Sequence, residues 1–424
     1  MMRPLEGCQL QLSFADPANA FSALATSLQY QARALGMQIE TAVRLDPEPE
    51  QADEILSISL SMPRQIGLAL RPRTVCRIGF GADWANLAVS GAGGPLDPEH
   101  LAQASCGLMS VHGRASGKAQ ALGLPYVSTV CAALALQALM AAALAQLRGA
   151  GNRTCRVSMS GAALLCVGQY LAGATTQEAA ERLLPGCNAI HERPPYVSCD
   201  GVWFELETLD AGPWRSFWLA LGVDATSAAK GWQGFLLRYA KAIAPQPAVL
   251  MQTLAALPYA QIAAHAQQAG LAICPLRSLA QRASDADANA LWQQGPWAFS
   301  GGAHLPAATL AALRAPGQDW HSDDLPLRGI SVIESCRRIQ GPLAGHLLAL
   351  LGARVIRIEA PGGDPLRGMA PLADGISARF DALNRLKSVV EIDLKSTAGR
   401  AQVLQQAAGA DVFLHNWAPG KAAQ

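Results

Sequence analysis

The chain has 424 residues, with 33 Lys plus Arg against 32 Asp plus Glu and a net charge of +1, so it lacks the basic excess of a nucleic-acid-binding protein. Half of its residues are hydrophobic and only 15% are charged, which excludes an intrinsically disordered chain and provides for a large buried core over two or three domains. In chain order, Pro4-Leu-Glu-Gly7 opens the apolar run CQLQLSF, read as a strand, and a helical pattern follows that ends at Leu35-Gly36. MQIETAV reads as a second strand, and Ala52-Asp53 precedes a third, EILSISL. Arg73–Phe80 is strand-like, and Leu101–Gly113 mixes a short helix with a loop. No charge lies between Lys118 and Arg148, and Ser128–Leu147 is long enough to cross a bilayer. It is mostly Ala and carries Ser128, Thr129, Gln137 and Gln146, so the prediction is no membrane span but a helix buried on all sides of a soluble domain. A turn at Gly149–Asn152, a strand at Thr154–Met159 and an apolar helix from Ser160 to about Ala172 follow.

Near Pro194 the composition changes: Trp203, Phe204, Trp214, Phe217 and Trp218 crowd together, marking a smaller α/β subdomain over 195–300 and then a connector over 301–321. Pro326-Leu-Arg-Gly329 next opens ISVIESC, a helical pattern ends at Leu351-Gly352, ARVIRIE follows, and Ala410-Asp411 precedes VFLHNW. Strand, helix, Gly, strand is a βαβ signature, and it occurs twice, which points to a duplication. Gly36 and Ala52 are 16 positions apart, whereas Gly352 and Ala410 are 58 apart. The second copy thus holds a long insertion, loop-like at Pro361–Pro365, strand-like at Ser388–Leu394 and helical from Thr397. Loops at the carboxyl ends of parallel strands are where α/β folds bind ligands. The predicted fold class is α/β: a Rossmann-like parallel sheet within 1–194, the small subdomain, and a second Rossmann-like start over 322–424.

Short motifs add little. Gly91-Ala-Gly-Gly94 lacks the third glycine of a dinucleotide loop, Ser158-Met-Ser-Gly161 lacks the flanking glycine of a nucleophile elbow, and the eight histidines are scattered singly. The ten cysteines are never closer than 11 residues, at 155 and 166, with no CxxC and no zinc spacing; free thiols and no metal are expected. MMRPLEGCQLQLSF lacks the apolar run of a secretion signal, so the expected compartment is the cytoplasm.

The second copy carries a long motif. PLRGISVIESCRRIQGPLAGHLLALLGARVIRIEAPGGDPLR, FDALNRLKSVVEIDLKSTAGR and ADVFLHNWAPG resemble, in that order, the opening of class III CoA-transferases, the family of formyl-CoA and carnitine CoA-transferases and of acyl-CoA racemases. LAQASCGLMSVHG, GLPYVSTVCAALALQALMAAALAQLRGAGNRTCRVSMSGAAL and PPYVSCDGVWFEL resemble the family's later blocks. The resemblance implies that an aspartate attacks an acyl-CoA thioester to give a mixed anhydride, and that CoA then passes to an acceptor carboxylic acid through an aspartyl-CoA thioester. CoA and acyl-CoA are substrates in that scheme, with no covalently bound cofactor. Interlocked homodimers in the family imply a dimer, or a pseudo-dimer built within one chain.

The resemblance places the nucleophile's position at Ser128, which suits a helix N-cap but cannot form the acyl anhydride. No His or carboxylate lies near it in sequence. The first copy therefore reads as catalytically dead, and the active aspartate of the second is expected beyond Gln424. For CoA, the resemblance assigns Arg338, Ile339, Ile392, Lys395, Asn416 and Trp417, while Ala360 stands where some members carry a basic residue for the phosphates. Lys395 would supply charge, Trp417 would stack on adenine, and Asn416 would read a polar edge; Ile392 is equally a core strand residue. Two other readings remain: a non-catalytic acyl-CoA-binding or scaffold subunit, and a racemase using His112, whose acid partner is missing.

Overall fold

The computed structural model describes residues 3–14, 22–43, 54–61, 74–81, 97–150, 154–177, 192–301, 324–418 and 420–421. The Ala52-Asp53 pair, the glycine run at 91–94 and most of the 301–321 connector lie outside them. Chain contacts divide the protein into two compact units, Met1–Cys106 with Leu124–Glu178 and Trp297–Gln424, and Gly107–Gly123 with Ala179–Pro296. The stretch from Trp297 onward thus groups with the N-terminal part of the chain, and the smaller unit joins 107–123 to 179–296.

The first unit begins β1 (Gln9–Phe14), α1 (Ala23–Leu35), β2 (Gln38–Val43), β3 (Glu54–Ser61) and β4 (Thr74–Gly79). Strict alternation in β1 buries Leu10, Leu12 and Phe14 on one face. Ser22 caps α1 by accepting from Ala25 N–H, and Gly36 ends it at φ 99°, where a Cβ would lie 2.7 Å from that of Arg3. After α2 (Pro98–Ser105) come α3 (Leu108–His112), which belongs to the smaller unit, then α4 (Tyr126–Leu147), β5 (Thr154–Ser158), α5 (Met159–Cys166) and α6 (Gly168–Ala174). The apolar helix therefore starts at Tyr126, and the single helix expected from Ser160 is two. α4 is long and apolar enough to cross a membrane, but more than half of it is buried against α1, α5 and the sheet.

The first sheet has the order β2-β1-β3-β4-β5, and it is not wholly parallel: β1 pairs parallel with β2, but β3 runs antiparallel to both β1 and β4. This corrects the expectation of a parallel sheet. A parallel return to the far side of β1 needs a crossover of a dozen or more residues, usually a helix. Only residues 44–53 separate β2 from β3, so β3 comes back in the opposite direction.

The smaller unit packs β6 (Tyr196–Val197), β7 (Trp203–Glu207) and β8 (Ala272–Pro275), an antiparallel sheet, with α7 (Ala211–Ala220), α8 (Ala225–Lys241), α9 (Ala248–Ala255) and α10 (Tyr259–Ala269); α11 (Leu279–Ala283) and α12 (Ala286–Gln294) follow. Tyr196, Phe204, Trp214, Phe217, Trp218 and Phe235 form its buried centre, and Trp214 donates its indole N–H to the Ala228 carbonyl at 2.9 Å. Apart from the exposed Trp203, the aromatic crowding seen in the sequence belongs to this core.

The last part contains β9 (Ser331–Ser335), α13 (Gln340–Leu350), β10 (Arg354–Glu359), the small hairpin β11 (Leu372–Ala373) and β12 (Ile376–Ser377), α14 (Ala378–Asn384), β13 (Ser388–Glu391), α15 (Thr397–Ala408) and β14 (Val412–His415). Its four-stranded sheet has the order β13-β10-β9-β14, every pair parallel. The hydrogen bonds at the opening of the chain have counterparts here. Leu5 N–H donates to the Leu35 carbonyl at 2.9 Å, as Leu327 does to Leu351 at 2.8 Å, and Gln38 donates to Cys8 at 2.9 Å as Arg354 does to Ile330 at 2.8 Å. Gly352, at φ 100°, repeats Gly36, with Leu325 in the place of Arg3. Arg148, after α4, ties the two halves by donating to the carbonyls of Pro326 at 3.0 Å and Arg328 at 2.7 Å.

Candidate functional site

In the order β13-β10-β9-β14, the chain moves outward from β9 in one direction and then returns to its other side, so the topological switch point lies between β9 and β14. A crevice outside the carboxyl ends of the strands at such a point is the general ligand site of open α/β sheets. Ser335 and His415 end the two strands as register partners.

Four of the six CoA positions inferred from sequence converge here. Arg338 and Ile339 form the exposed loop between β9 and α13, with Arg338 held at φ 65°, a left-handed conformation uncommon for a residue with a side chain. Asn416 and Trp417 follow β14. The Asn416 carboxamide accepts from Arg337 N–H at 3.0 Å and donates to the Arg337 carbonyl at 2.9 Å. Through those bonds the amide spans the switch point and fixes the loop bearing Arg338, with one N–H and one oxygen lone pair left over. Trp417 is half-buried, donates its indole N–H to Ser335 Oγ at 3.0 Å and lies against the His415 ring at 4.7 Å. Gly341 lets α13 approach this closely, since a Cβ there would lie 2.5 Å from the Cys336 side chain and 3.2 Å from Asn416. The buried Cys336 thiol is pushed up to about 11 by burial and by Glu334, which keeps it neutral.

The other two positions stand apart. The Ile392 side chain is 2% exposed and packs with Ile333, Ile358 and Val403, so as a ligand-lining side chain it is corrected to core. Lys395 is exposed beyond β13, two strands from β9, or about 10 Å at ordinary strand spacing. A ligand touching both Lys395 and Arg338 must be extended. Ala360, exposed after β10, brings no charge.

Beneath the loop lies an ionic network that sequence reasoning missed. Arg357 on β10 is 1% exposed and donates to Glu334 at 2.8 Å, to Glu359 at 3.1 Å and to Asp364. Lys387 donates to Glu334 at 2.7 Å, to the Pro342 carbonyl at 2.8 Å and to Asn384 at 3.0 Å. Arg367 makes two bonds of 2.8 Å to Glu359. Three cations face three carboxylates, so the buried charges balance. Burial pulls Lys387 below the ordinary lysine value, partly opposed by Glu334. For Glu359 burial works upward, but the hydrogen bonds and charge of Arg367 outweigh it and hold the carboxyl below its ordinary range. The signal was the alternation in VIES and RVIRIE, where charged residues occupy positions that parallel strands bury on both faces.

Ser128 is 1% exposed and lies inside the first turn of α4; the cap position is Pro125, with no side-chain cap bond. This corrects the N-cap expectation. The anchor is Glu99 on α2, whose carboxylate accepts from Val127 N–H at 3.0 Å and Ser128 N–H at 2.7 Å, and from the Gln103 amide at 2.8 Å. A carboxylate therefore does meet Ser128, from 29 positions away, which no local pattern displayed. The Asp97-Pro98-Glu99 helix start was the available clue. His112, in the smaller unit, is held by a ring-nitrogen contact of 3.0 Å to the Gln120 carbonyl. Among the described residues, no group of three or more His, Cys, Asp or Glu could hold a metal ion.

The profile of CoA-transferase family III matches residues 93–322 and 327–424. Among curated proteins, the chain is 39% identical over 98 residues to a probable fatty acyl-CoA transferase of Mycobacterium tuberculosis, covering 22% of this chain and 25% of that one. It is 39% identical over 94 residues to cinnamoyl-CoA:phenyllactate CoA-transferase of Clostridium sporogenes (21% and 23%), and 43% identical over 100 residues to succinate–glutarate CoA-transferase of Agrobacterium fabrum (22% and 25%). The chain thus spans about a quarter of the length of these curated relatives. A crystal structure of the mycobacterial protein aligns at 38% identity over 23% of this chain and 27% of that one, with a TM-score of 0.22. With the profile matched over most of its length, the chain belongs to CoA-transferase family III.

Proposed function

We propose that the protein takes part in moving CoA between an acyl-CoA thioester and a carboxylic acid, with CoA held at the carboxyl ends of β9 and β14. The observation that carries this reading is the convergence of Arg338, Ile339, Asn416 and Trp417 at the switch point of a parallel sheet, in a member of this family. Arg338 supplies charge for phosphate and Trp417 an aromatic face for adenine, while Asn416 sets the loop. Lys395 lies where the far end of an extended ligand would reach.

In this reading the two strand–helix–strand openings are a tandem duplication. The recurring hydrogen bonds and the paired glycines support it. The first copy is the degenerate one: a buried serine occupies the nucleophile's position, and the neighbouring Glu99 carboxylate is saturated by three N–H donors as a helix anchor. The nucleophilic aspartate is then not supplied by the Ser128 position, and the reading places the site within a dimer or pseudo-dimer. The nine described cysteines are free, which fits a reducing cytoplasm. Calorimetric titration with CoA tests the binding half: saturable binding that Arg338→Ala weakens about tenfold, the loss of one charge-assisted phosphate contact, supports the site. An affinity unaffected by Arg338→Ala and Trp417→Ala refutes it.

A second reading keeps the binding and drops the chemistry: a scaffold subunit that positions acyl-CoA for another polypeptide. The buried Ser128 favours it, and one of the relatives, from Chloroflexus aurantiacus, is named as an alpha subunit of a succinyl-CoA–L-malate CoA-transferase.

A further inference from the structure

β4 and β5 run parallel, with Cys76 and Cys155 as direct register partners. Register partners project to the same face of a sheet, and strands lie about 4.8 Å apart, inside the roughly 4.4–6.8 Å Cα separation that a disulfide spans. The Cys155 thiol donates to the Val75 carbonyl at 3.5 Å, and the Cys76 thiol to the Arg77 carbonyl at 4.0 Å. Cys76 is fully buried, whereas Cys155 is half-exposed on β5, the edge strand of its sheet. The neighbouring thiol draws the Cys155 thiol below the ordinary cysteine value and, together with burial, drives Cys76 upward, which separates an attacking thiol from a resolving one. Cys131 on α4 faces this pair but is fully buried and pushed up to about 12, chiefly by burial, which keeps it protonated.

We propose that Cys76 and Cys155 form an oxidation site, which hydrogen peroxide or a similar hydroperoxide converts to a disulfide stapling the edge strand β5 to β4. In the first step the Cys155 thiolate attacks a peroxide oxygen and the O–O bond breaks, giving Cys155 sulfenic acid and, after protonation, water. In the second, Cys76 loses its proton and attacks the Cys155 sulfur, and the displaced hydroxide leaves as water. Two thiols and one peroxide yield one disulfide and two waters, the two electrons passing from sulfur to oxygen. Parallel pairing leaves the Cβ atoms about 5 Å apart, beyond the roughly 3.8 Å mean of a disulfide, so the edge strand must move inward by about 1 Å. A bridge closed against that displacement is readily reduced, which makes the modification reversible.

The test is peptide mapping of the whole chain after peroxide treatment, thiol blocking and trypsin digestion. The expected product is a species joining Thr74–Arg77 to Thr154–Arg156, two hydrogens lighter than the separate peptides. It should take most of the signal from both free peptides and disappear on treatment with dithiothreitol. Cys76→Ser should leave a Cys155 sulfenic acid that a dimedone probe captures, whereas Cys155→Ser should leave Cys76 unmodified. A Cys155 that passes to sulfinic acid in the native protein without the joined species overturns the proposal. So do a bridge from Cys155 to Cys131, and a pair left untouched by peroxide that oxidises the exposed Cys199 and Cys274.

Discussion

Replacing Glu99 tests whether Ser128, proposed above to stand in the nucleophile's position, sits in a structural joint. Glu99 is 4% exposed, and its carboxylate satisfies two first-turn N–H groups of α4 as well as the Gln103 amide. A hydrogen bond to a charged group contributes about 1.5–3 kcal/mol, so the two backbone bonds set an upper limit of about 6 kcal/mol. Fraying of the first turn towards water recovers part of this, because losing an ordinary cap costs about 0.5–2 kcal/mol. Glu99→Ala should therefore cost about 3 kcal/mol, and Glu99→Gln, which keeps one acceptor oxygen, about 1–2 kcal/mol. Since the chain forms two compact units, global unfolding need not be a single transition, and hydrogen exchange at the Val127 and Ser128 amides is the better assay. A local loss of about 3 kcal/mol corresponds to protection about 100-fold weaker. Unchanged protection at both amides in Glu99→Ala would refute the joint and reopen Ser128 and Glu99 as chemically available groups.

The remaining predictions concern the second sheet. If Asn416 acts by holding the Arg338 loop, a double-mutant cycle on CoA affinity should be non-additive: Arg338→Ala/Asn416→Ala should bind about as weakly as Arg338→Ala alone, while additive losses would make Asn416 a direct contact. Lys387→Met leaves Glu334 with one of its two cationic partners at 0% exposure, and denaturant titration should show a loss of about 3–5 kcal/mol; a loss under 1 kcal/mol would show the network to be dispensable. Because Arg367 holds the Glu359 carboxyl below its ordinary value, its contribution is present above about pH 4.3 and is lost as pH falls through the depressed folded value. The stability gap between the native protein and Arg367→Met should be full at neutral pH and close on acidification; a gap independent of pH contradicts the pairing.

Much of the fold was legible because the two openings share local chemistry: a Pro-Leu-x-Gly turn, a short apolar strand and a glycine in the left-handed region after the helix. Strand direction was not. EILSISL and VFLHNW carry the same kind of apolar pattern, and only the length of the preceding connector, 10 residues against an insertion with its own strand and helices, tells an antiparallel strand from a parallel one. The start of α4 was misplaced for a related reason, since its anchor is a side chain 29 positions upstream and not a neighbour in sequence. At the candidate site, the sequence pointed to residues after β9 and β14, but no local pattern displayed the two hydrogen bonds between Asn416 and the Arg337 backbone. Nor could it resolve Ile392, which follows the β13 segment SVVE and whose burial depends on α15 packing above it.

The central proposal is that this chain holds CoA in its second half and that neither Glu99 nor any residue of Tyr126–Leu147 acts as its nucleophile. Its most direct test is incubation of the chain with a short acyl-CoA, followed by intact-mass measurement and by CoA titration of the same sample. The account predicts saturable CoA binding and an unchanged protein mass. A covalent acyl or CoA adduct on any residue of Tyr126–Leu147 or on Glu99, or a chain that binds no CoA, would contradict it.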